Sequence, residues 1–372
     1  MDTSQASKAA AAAGGTDHSA PEPGIVVKSA AELEDLVARI LRAAGASEAN
    51  AARVAEALVS SDLCGVVTHG LWQLPGYVTM IQAGEIDARA YPRILEETPA
   101  TALVSGAWTF GHVGAKFATE VAIRKAEENG VSVVALVEVH HIGRLGEYVE
   151  MAAARQMISM MWLGGLSEEA PAAVPYGGRT RVLHTNPIAM GFPAAGGYPV
   201  MFDFATTAVS GVKVVEARDT GHPLPPGCIV DRDGAPTTRA ADFFEGGGHL
   251  PFGGHKGYAF MLASEYLGRI FTGSERFGGG ARGGAIFGHS GATLQVMRAD
   301  LFRPLAEYSQ QADEMRQRLH SVPPAPSFQE VLVPGDLEAR NRAERTRNGI
   351  PLAPRHWQEI SDLARSLGVA PG

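Results

Sequence analysis

The chain has 372 residues, which exceeds the usual size of one hydrophobic core, so we expect one large domain with an appendage or two interleaved domains. Hydrophobic residues make up 45% and charged residues 19%, which excludes disorder for most of the chain, and no apolar run approaches the roughly 20 residues that span a bilayer. The net charge of -8 argues against a nucleic-acid-binding surface, which needs clustered lysine and arginine.

Two features of the sequence bear on where the protein works. The residues before about Gly24 include an alanine run and lack the Arg-rich or long apolar character of a targeting signal, so we expect a disordered tail over 1–24. The two cysteines, Cys64 and Cys228, are too few for a disulfide framework, and neither belongs to a Cys-x-x-Cys pair. A reducing cytoplasm is therefore the expected location.

Two helices are predicted at the start of the folded chain. A capping box at Ser29 and Glu32 begins the first helix, and its apolar repeat ends at Gly45. The second helix begins near Ser47. The segment 68–77 that follows contains a proline and a glycine, which mark an irregular stretch or the start of a new helix. We expect these helices to deliver the histidine of that segment to its position.

Helices and strands alternate in the middle of the chain. An amphipathic helix is predicted from about Lys116 to Asn129, and the β-branched run Val131–Val139 is predicted to be a buried strand. A helix from about Gly146 to Arg155 and a strand over Ile158–Leu163 come next. This alternation predicts a sheet that is covered by helices.

The second half of the chain is less regular in its pattern. The polar section Asp219–Gly248, rich in glycine and proline, is predicted to form loops. A helix is predicted over Lys256–Phe271, with the lysine at its start, and a flexible loop over Gly278–Gly284. Helices are then predicted over Asp336–Arg347 and Pro354–Leu367.

Histidines recur in three glycine-bounded segments: Thr68-His69-Gly70, His140–Arg144 and Gly253–Tyr258. Histidine is the side chain best suited to exchange a proton near neutral pH. A lysine among glycines, such as Lys256, suits an anionic group that the backbone approaches closely. Together the segments predict proton transfer beside a cofactor that carries phosphate.

Several common catalytic motifs are missing from the sequence. No Gly-x-Gly-x-x-Gly follows a predicted strand, and there is no P-loop and no His-Glu-x-x-His. A standard dinucleotide-binding fold and a P-loop nucleotide site are therefore poorly supported. We predict no metal site, because His140 and His141 would point to opposite faces of an extended chain.

Each candidate residue also has a purely structural interpretation. His69 at a helix end would serve as a cap or a surface residue, and Lys256 as a solvated turn residue. His140 and His141 are stronger candidates, because ligands gather at strand ends in helix-covered sheets. Asp203 lies in an apolar run and would be costly to bury unpaired, so we expect it to cap a backbone group or to bind a cofactor hydroxyl.

A series of ordered motifs runs from about Ala30 to the end of the chain. They are Asp62-Leu63-x-Gly65, Thr68-His69-Gly70, Leu74-Pro75-x-Tyr77, Thr185-Asn186-Pro187, Asp203-x-Ala205-Thr206, Pro223-Leu224-Pro225-x-Gly227, Pro236-Thr237, Gly253-Gly254-x-Lys256-Gly257-Tyr258, Pro334-Gly335 and Asn348-Gly349-Ile350-Pro351-Leu352. With these motifs the chain resembles the malate/L-lactate dehydrogenase superfamily of the second, non-Rossmann type. The pairs His140-His141 and His255-Lys256 are most similar to its Δ1-piperideine-2-carboxylate/Δ1-pyrroline-2-carboxylate reductase branch.

The resemblance implies an α/β fold, built on a largely antiparallel mixed sheet covered by helices and distinct from the Rossmann fold. It implies a nicotinamide-dependent oxidoreductase that works as a homodimer, with cofactor and substrate between domains and near the partner subunit. We predict an N-terminal helical segment over 25–110 that packs with the C-terminal helices of 301–372, and a cofactor-binding α/β domain over 111–300. Neither nucleic acid nor membrane is an expected partner.

The resemblance also implies roles for individual residues. His69 would be a proton donor polarised by the Thr68 hydroxyl, and His141 matches the acid/base histidine of the hydroxyacid dehydrogenases. The implied cofactor contacts are His140, His141, Ile142, Gly143, Arg144, Asp203, Phe204, Ala205, His255 and Lys256. The implied substrate contacts are Gln73, Thr185, Gly211 and Val212. The cofactor would be NADPH or NADH, and Arg144 as a clamp on a 2′-phosphate favours NADPH.

Two departures from the family pattern concern the substrate. Family members usually have arginine at Gln73, where it grips the substrate carboxylate in a bidentate fork, and a second arginine at Gly211. Without these charges we expect a neutral, bulkier or amide-like substrate, with Trp72 offering an apolar surface. The predicted reaction is reduction of a C=N or C=O bond. The alternatives are oxidation of a 2-hydroxy acid and a non-catalytic paralogue that binds a nucleotide.

Overall fold

The computed structural model describes residues 24–165, 170–195, 197–278 and 282–372. The predicted tail lies outside the described residues except for Gly24. The strands in the described part are β1 (Val26–Lys28), β2 (Arg93–Glu97), β3 (Thr101–Ser105), β4 (Val131–Val137), β5 (Met157–Gly164), β6 (Ile188–Phe192), β7 (Val200–Phe204), β8 (Ile229–Val230), β9 (Pro236–Thr237), β10 (Gly248–His249), β11 (Gly291–Arg298) and β12 (Ile350–Leu352).

Helices surround these strands. They are α1 (Ala30–Ala43), α2 (Glu48–Leu63), α3 (Leu74–Gln82), α4 (Gly111–Asn129), α5 (Gly146–Ala153), α6 (Gly211–Thr220), α7 (Ala240–Phe244), α8 (His255–Glu265), α9 (Gly284–Phe287), α10 (Leu305–His320), α11 (Asp336–Asn348) and α12 (Pro354–Ser366). Single 3-10 turns occur at Val67–His69, Leu71–Gln73 and Ser274–Arg276. None of the described helices combines the length and the apolar character that crossing a membrane requires.

A seven-stranded sheet forms the centre of the fold, in the order β2-β3-β4-β11-β5-β6-β7. Strands β3 and β4 are parallel, and every other neighbouring pair in this sheet is antiparallel. The largely antiparallel mixed sheet that the resemblance implied is therefore confirmed. The predicted alternation of helices and strands is also confirmed, because α4 and α5 flank β4 and precede β5 in the chain.

One face of the central sheet carries a hydrophobic core under α4 and α5. Small residues of α4, among them Ala118, Ala122 and Ala126, recur at helical spacing and are buried against alternate strand residues such as Val134 and Leu294. Alanines let the helix approach the sheet closely, and the strand residues share one face because side chains alternate along a strand. The core fixes the sheet against the two helices that bracket the predicted site segment.

A second core joins the two ends of the chain. Helices α1, α2 and α3 pack around Leu36 and Leu58, and Ile350 and Ile360 from β12 and α12 belong to the same cluster. Strand β1 pairs antiparallel with β12. The predicted capping box is present, since Ser29 and Glu32 bond each other's backbone N–H groups. Strands β2 and β3, however, lie within the predicted N-terminal helical segment 25–110 and pair into the central sheet. The proposed boundaries at 110 and 300 stay predictions.

The section 219–248 is not the set of loops that its composition predicted. Strands β10, β8 and β9 form a small antiparallel sheet, and α6 and α7 pack beside it around Val214 and Ile229. Each strand is only two residues long. Periodicity cannot detect strands of that length, because one alternation is too short to form a pattern.

Three predicted boundaries also differ from the structure. The strand predicted over Val131–Val139 ends at Val137, because Glu138 takes a positive φ of 49°. The helix predicted over Lys256–Phe271 becomes a π-helical turn at Tyr266–Ile270, where Gly268 packs directly on the backbone of the central sheet. The predicted loop Gly278–Gly284 lies partly outside the described residues, and α9 begins at its end.

Candidate active site

The predicted site segments meet at one edge of the central sheet, which we call the motif edge. Register pairs Ser105 with Val137, Gly164 with Gly291, and Ile188 with both Trp162 and Phe204. The ends of β3, β4, β5 and β7 and the starts of β6 and β11 therefore lie side by side. The loops that carry His140–Arg144, Thr185-Asn186 and Asp203–Thr207 all leave the sheet from this edge.

Backbone strain is concentrated at the motif edge. Glu138, Ala107 and Trp108 all have positive φ, between 49° and 53°, although none is glycine. The Ser105 hydroxyl donates to the Glu138 carboxylate, and the Trp108 N–H donates to the Glu138 carbonyl at 2.9 Å. Such conformations persist only where neighbouring contacts hold them, and they cluster at functional sites. Here they end β4 abruptly just before the histidine pair.

The turn that carries His69 is held by a buried carboxylate. Asp62 accepts a hydrogen bond from the Leu71 N–H at 2.8 Å, and burial raises the pKa of Asp62 to about 7. A Cβ at Gly70 would overlap that carboxylate, so this position requires glycine. The Gln73 side-chain amide donates to the Thr68 carbonyl at 2.7 Å and closes the turn. The amide predicted to contact substrate therefore also has a structural partner.

Helix α11 makes hydrogen bonds to the chain just before this turn. Arg345 donates to the Asp62 carbonyl, and Asn341 donates to the Cys64 carbonyl at 3.2 Å. Arg342 donates to the Glu150 carboxylate at 3.0 Å. The C-terminal segment thus bonds both the end of α2 and the helix that follows the histidine pair.

The structure brings the three residues predicted to be catalytic together. The His69 and His141 rings stack with centroids 5.6 Å apart and 17° between their planes. His69 Nδ1 lies 3.0 Å from the Thr68 hydroxyl, and His141 Nδ1 lies 2.6 Å from the Tyr77 hydroxyl. Each ring therefore has Nδ1 engaged by a hydroxyl, which leaves its Nε2 for a ligand.

The pKa values of both rings of this pair are lowered. Burial lowers the pKa of His69 from 6.5 to about 4, with a further contribution from the Arg144 charge. Burial also lowers the pKa of His141 well below its usual value, and the neighbouring histidines act in the same direction. A buried imidazole resists protonation because the charged form loses its hydration.

Two residues of the site were missed by analysis of the sequence. Tyr77 was noted only as part of a family motif, and His112 was not noted at all. The His112 ring lies 5.5 Å from the Tyr77 ring and 6.2 Å from the His141 ring. Both of its nitrogens are buried without a hydrogen-bond partner among the described residues. The only sequence signal at His112 is the flanking Gly111 and Gly114, which was too weak to use.

His140 lies beside the pair of His69 and His141 in a different environment. Its Nδ1 accepts the His141 backbone N–H at 2.8 Å, and its ring packs on Phe287 with centroids 4.5 Å apart. Burial lowers the pKa of His140 to about 3. Gly143, with φ 75°, packs against the His112 ring at a point where a Cβ would overlap it. The segment predicted to contact cofactor is therefore tightly packed, with Ile142 and Gly143 buried.

Asp203 and Arg144 both make hydrogen bonds to other groups of the protein. The Asp203 carboxylate accepts the Gly146 N–H at 2.7 Å and so caps α5, and burial raises its pKa to about 6. This is the backbone cap that the sequence left open as one interpretation. Arg144 is buried and donates to Glu150 at 2.6 Å. A clamp on a 2′-phosphate needs an accessible guanidinium, whereas Arg144 is 2% exposed, and its contact with the cofactor stays a prediction.

His255 and Lys256 form the exposed start of α8. Gly253 and Gly254 precede them with φ values of 57° and 65°, and no side chain caps the helix. A helix start with free N–H groups and an exposed cation suits an anion. The residues present therefore fit the diphosphate of a dinucleotide, a group that the family resemblance implies.

The predicted substrate contacts occupy two places. The Thr185 hydroxyl lies 3.2 Å from His184 Nδ1 at the motif edge. Gly211 and Val212 begin α6, and in the described part of the chain a Cβ on Gly211 would have only His249 Nε2 within reach, at 4.0 Å. Among the described residues, the space at Gly211 is therefore open, at the position where the resemblance implies an arginine.

The remaining predicted contacts lie at the end of β7. Phe204 is 37% exposed and stacks on Phe202 with centroids 5.4 Å apart, while Ala205 is half-buried. Among the described residues, no group of three or more histidine, cysteine, aspartate or glutamate side chains is placed to hold a metal ion.

The buried histidines predict acid-sensitive stability. Where the folded-state pKa of a histidine is lowered, the unfolded chain binds a proton first as pH falls, so acid favours unfolding. Asp62 and Asp203 act in the opposite direction, because their raised pKa values let the folded protein bind a proton first. The histidines with lowered pKa outnumber the carboxyls with raised pKa. The histidines are His69, His112, His140, His141, His184, His249 and His356. The carboxyls are Glu34, Asp62 and Asp203.

We therefore expect the free energy of unfolding to fall as pH drops from 6.5 toward 4. The variant His69→Gln should lose less stability over this window than the wild type, by up to roughly 3 kcal/mol, because one proton is removed from the balance. Urea unfolding followed by circular dichroism at several pH values measures this. The control His222→Gln changes an exposed histidine and should keep the wild-type slope; an equal slope in His69→Gln would contradict the prediction.

Comparison with known proteins identifies the family of this chain. Residues 28–361 match the family described as malate/L-lactate dehydrogenase. L-sulfolactate dehydrogenase of Methanocaldococcus jannaschii is 34% identical over 90% of this chain and 95% of its own length. L-lactate dehydrogenase of Cupriavidus necator is 36% identical over 85% of this chain and 91% of its own length.

A solved structure gives the same result. The crystal structure of Δ1-piperideine-2-carboxylate reductase from Pseudomonas syringae pv. tomato superposes with a TM-score of 0.82 at 32% identity, over 91% of this chain and 100% of that chain. The identities to dehydrogenases and to the reductase are similar, so they do not select one branch. Because the relatives are dehydrogenases and reductases, the protein is an oxidoreductase, and this chain belongs to the malate/L-lactate dehydrogenase family.

Proposed function

We propose that this protein uses a nicotinamide cofactor, NADPH or NADH, to reduce a C=N or C=O bond. The observation that carries the proposal is the stacked pair of His69 and His141, with both Nδ1 atoms engaged and both Nε2 atoms left for a ligand. A carbonyl or imine that accepts a hydride also needs a proton, and an imidazole supplies one. When bound, the nicotinamide supplies the hydride.

The surroundings of the pair suit proton transfer. Because His69 is neutral when the site is empty, it takes up a proton only when charge develops beside it. Its Nε2 is then the atom that delivers the proton to the substrate heteroatom, while the Thr68 hydroxyl holds Nδ1. Both rings are half-buried, which limits the access of water to the reacting bond.

Two groups of residues are proposed to hold the cofactor. Lys256 and the free N–H groups at the start of α8 would bind its diphosphate, and the packed segment His140–Gly143 would lie against it. Burial of Arg144 weakens the preference for NADPH over NADH, so both cofactors belong to the proposal.

The substrate proposal rests on Gln73 and Gly211. Neither residue supplies a charge for a carboxylate, and the space at Gly211 is open. Trp72 is 45% exposed next to Gln73 and offers an apolar surface. These features support a neutral, bulkier or amide-like substrate. Oxidation of a 2-hydroxy acid is the second candidate, supported by the named sulfolactate and lactate dehydrogenases among the relatives.

A homodimer is proposed from an exposed apolar surface. Phe260, Tyr266, Ile270 and Phe271 on α8 and its π-helical turn are 41% to 63% exposed. Adjacent large apolar side chains of this kind mark interaction sites on soluble proteins. A second copy of the chain is the partner that the family resemblance implies.

A cytoplasmic location is also kept as a proposal, since Cys64 and Cys228 are both free and buried.

The first prediction for this function concerns His69. With a panel of ketones and cyclic imines, His69→Ala should lower turnover by about a hundredfold or more, the usual weight of general acid catalysis, while cofactor affinity changes little. Oxidation of NADPH or NADH, followed by absorbance, measures turnover. The control is His320→Ala, an exposed histidine on α10. Near-normal turnover of His69→Ala would make His69 structural, and tight cofactor binding without any turnover by the wild type would favour the non-catalytic paralogue.

The second prediction concerns substrate charge. Gln73→Arg should raise kcat/KM for pyruvate or oxaloacetate by about tenfold or more, because a hydrogen bond to a charged group contributes about 1.5–3 kcal/mol. Gln73→Met is the matched control, since it keeps the size of the side chain without a charge. Efficient turnover of these acids or of piperideine-2-carboxylate by the wild type, unimproved by the arginine, is the result that contradicts the proposal.

The third prediction concerns assembly. Light scattering should give the wild type twice its chain mass of 39.1 kDa. A double change, Tyr266→Glu with Phe271→Glu, should yield a monomer, because it places charges in the proposed interface. Phe302→Glu is the control, as Phe302 is 98% exposed and lies outside this surface. A monomeric wild type, or a double variant that remains dimeric, contradicts the proposed interface.

A further inference from the structure

The hydrogen bond between Tyr77 and His141 has a direction that the surroundings determine. Tyr77 is 1% exposed, and its hydroxyl lies 2.6 Å from His141 Nδ1. Among the described residues, this nitrogen is the only hydrogen-bond partner of the phenol. A buried hydroxyl proton left without an acceptor is destabilising, so the phenol donates and Nδ1 accepts.

The protonation states agree with this direction. Burial raises the pKa of Tyr77 well above its ordinary value, so the phenol keeps its proton. Burial lowers the pKa of His141, so the ring carries a single proton. When one nitrogen of a neutral imidazole accepts a hydrogen bond, the proton lies on the other nitrogen.

We infer that Tyr77 is a positioning residue that fixes His141 as the Nε2–H tautomer, so that His141 polarises the reacting bond as a hydrogen-bond donor and His69 alone exchanges the proton. The part on the reacting bond rests on the proposed function, whereas the tautomer does not. A neutral imidazole that donates from a fixed position stabilises negative charge developing on an oxygen or nitrogen without giving up its proton.

His69 differs from His141 in the group that holds its Nδ1. The Thr68 hydroxyl rotates and either donates or accepts, so it leaves both tautomers and the charged form of His69 available. With ring centroids 5.6 Å apart, two charged rings would repel each other, so only one carries the extra proton at a time. In reduction His69 first takes a proton from solvent, and the substrate heteroatom then takes that proton from Nε2 and leaves a neutral ring. In oxidation Nε2 takes the proton from the substrate and releases it to solvent.

Nitrogen NMR of the full-length protein without ligand tests the tautomer directly. In protein labelled with ¹⁵N-histidine, the His141 signals are assigned by their loss in His141→Gln. The expected wild-type result at neutral pH is a protonated Nε2 and a bare Nδ1. Tyr77→Phe should shift His141 toward the Nδ1–H tautomer. The matched control is Tyr148→Phe, which removes an equally buried phenol that donates to the Ile142 carbonyl instead, and it should leave the tautomer unchanged.

Either of two NMR results would overturn the inference: a wild-type His141 that is charged or protonated at Nδ1, or a tautomer that Tyr77→Phe leaves unchanged. If Tyr77→Phe does not fold, the wild-type spectrum still decides. These results need no substrate, so they remain valid if the proposed reductase activity is not found.

Kinetics of matched variants tests the division of roles. Glutamine carries an N–H group near the position of Nε2–H but cannot exchange a proton. We expect His141→Gln to retain turnover within about tenfold of the wild type, His141→Ala to fall by about a hundredfold or more, and His69→Gln to be no better than His69→Ala. Equal losses in His141→Gln and His141→Ala would show that His141 needs its proton exchange, and the division of roles would be wrong.

Discussion

The strand register of the central sheet determines where the motifs of this chain lie. Strand β6 pairs antiparallel with both β5 and β7. Segments that are far apart along the chain therefore leave the sheet at the same motif edge. The parallel pair of β3 and β4 brings the strained residues near Trp108 to the same place. A slip of one residue in β4 would turn the core residues Val134 and Leu136 to the opposite face of the sheet, since neighbouring side chains alternate.

Loss of hydration shifts the pKa values of several side chains in the site. Burial lowers the pKa values of His69, His112, His140 and His141, and His112 has no hydrogen-bond partner among the described residues. Burying imidazole rings that lack hydrogen-bond partners lowers the stability of the fold. Such rings take up a proton only when a negative charge develops beside them. The same burial leaves Asp62 and Asp203 with raised pKa values, although both accept backbone hydrogen bonds.

Local pattern predicted the elements of this fold better than it predicted the partners of charged groups. The capping box at Ser29 and the alternation from α4 to β5 depend on neighbours in sequence, so they were predictable. The pairing of Arg144 with Glu150 was not, because the geometry that buries the arginine depends on the packing of α5. Tyr77 was visible in a motif, yet its bond to His141 joins residues 64 positions apart. The short strands β8 to β10 lack a readable period.

Helix α11 places a constraint on when this protein becomes active during synthesis. The side chains of Asn341 and Arg345 bond the backbone beneath the His69 turn, and Arg342 shares Glu150 with Arg144. These residues leave the ribosome after the histidines that they support. The nascent chain therefore carries the histidines of the site without the helix that supports their turn until residues 336–348 have emerged.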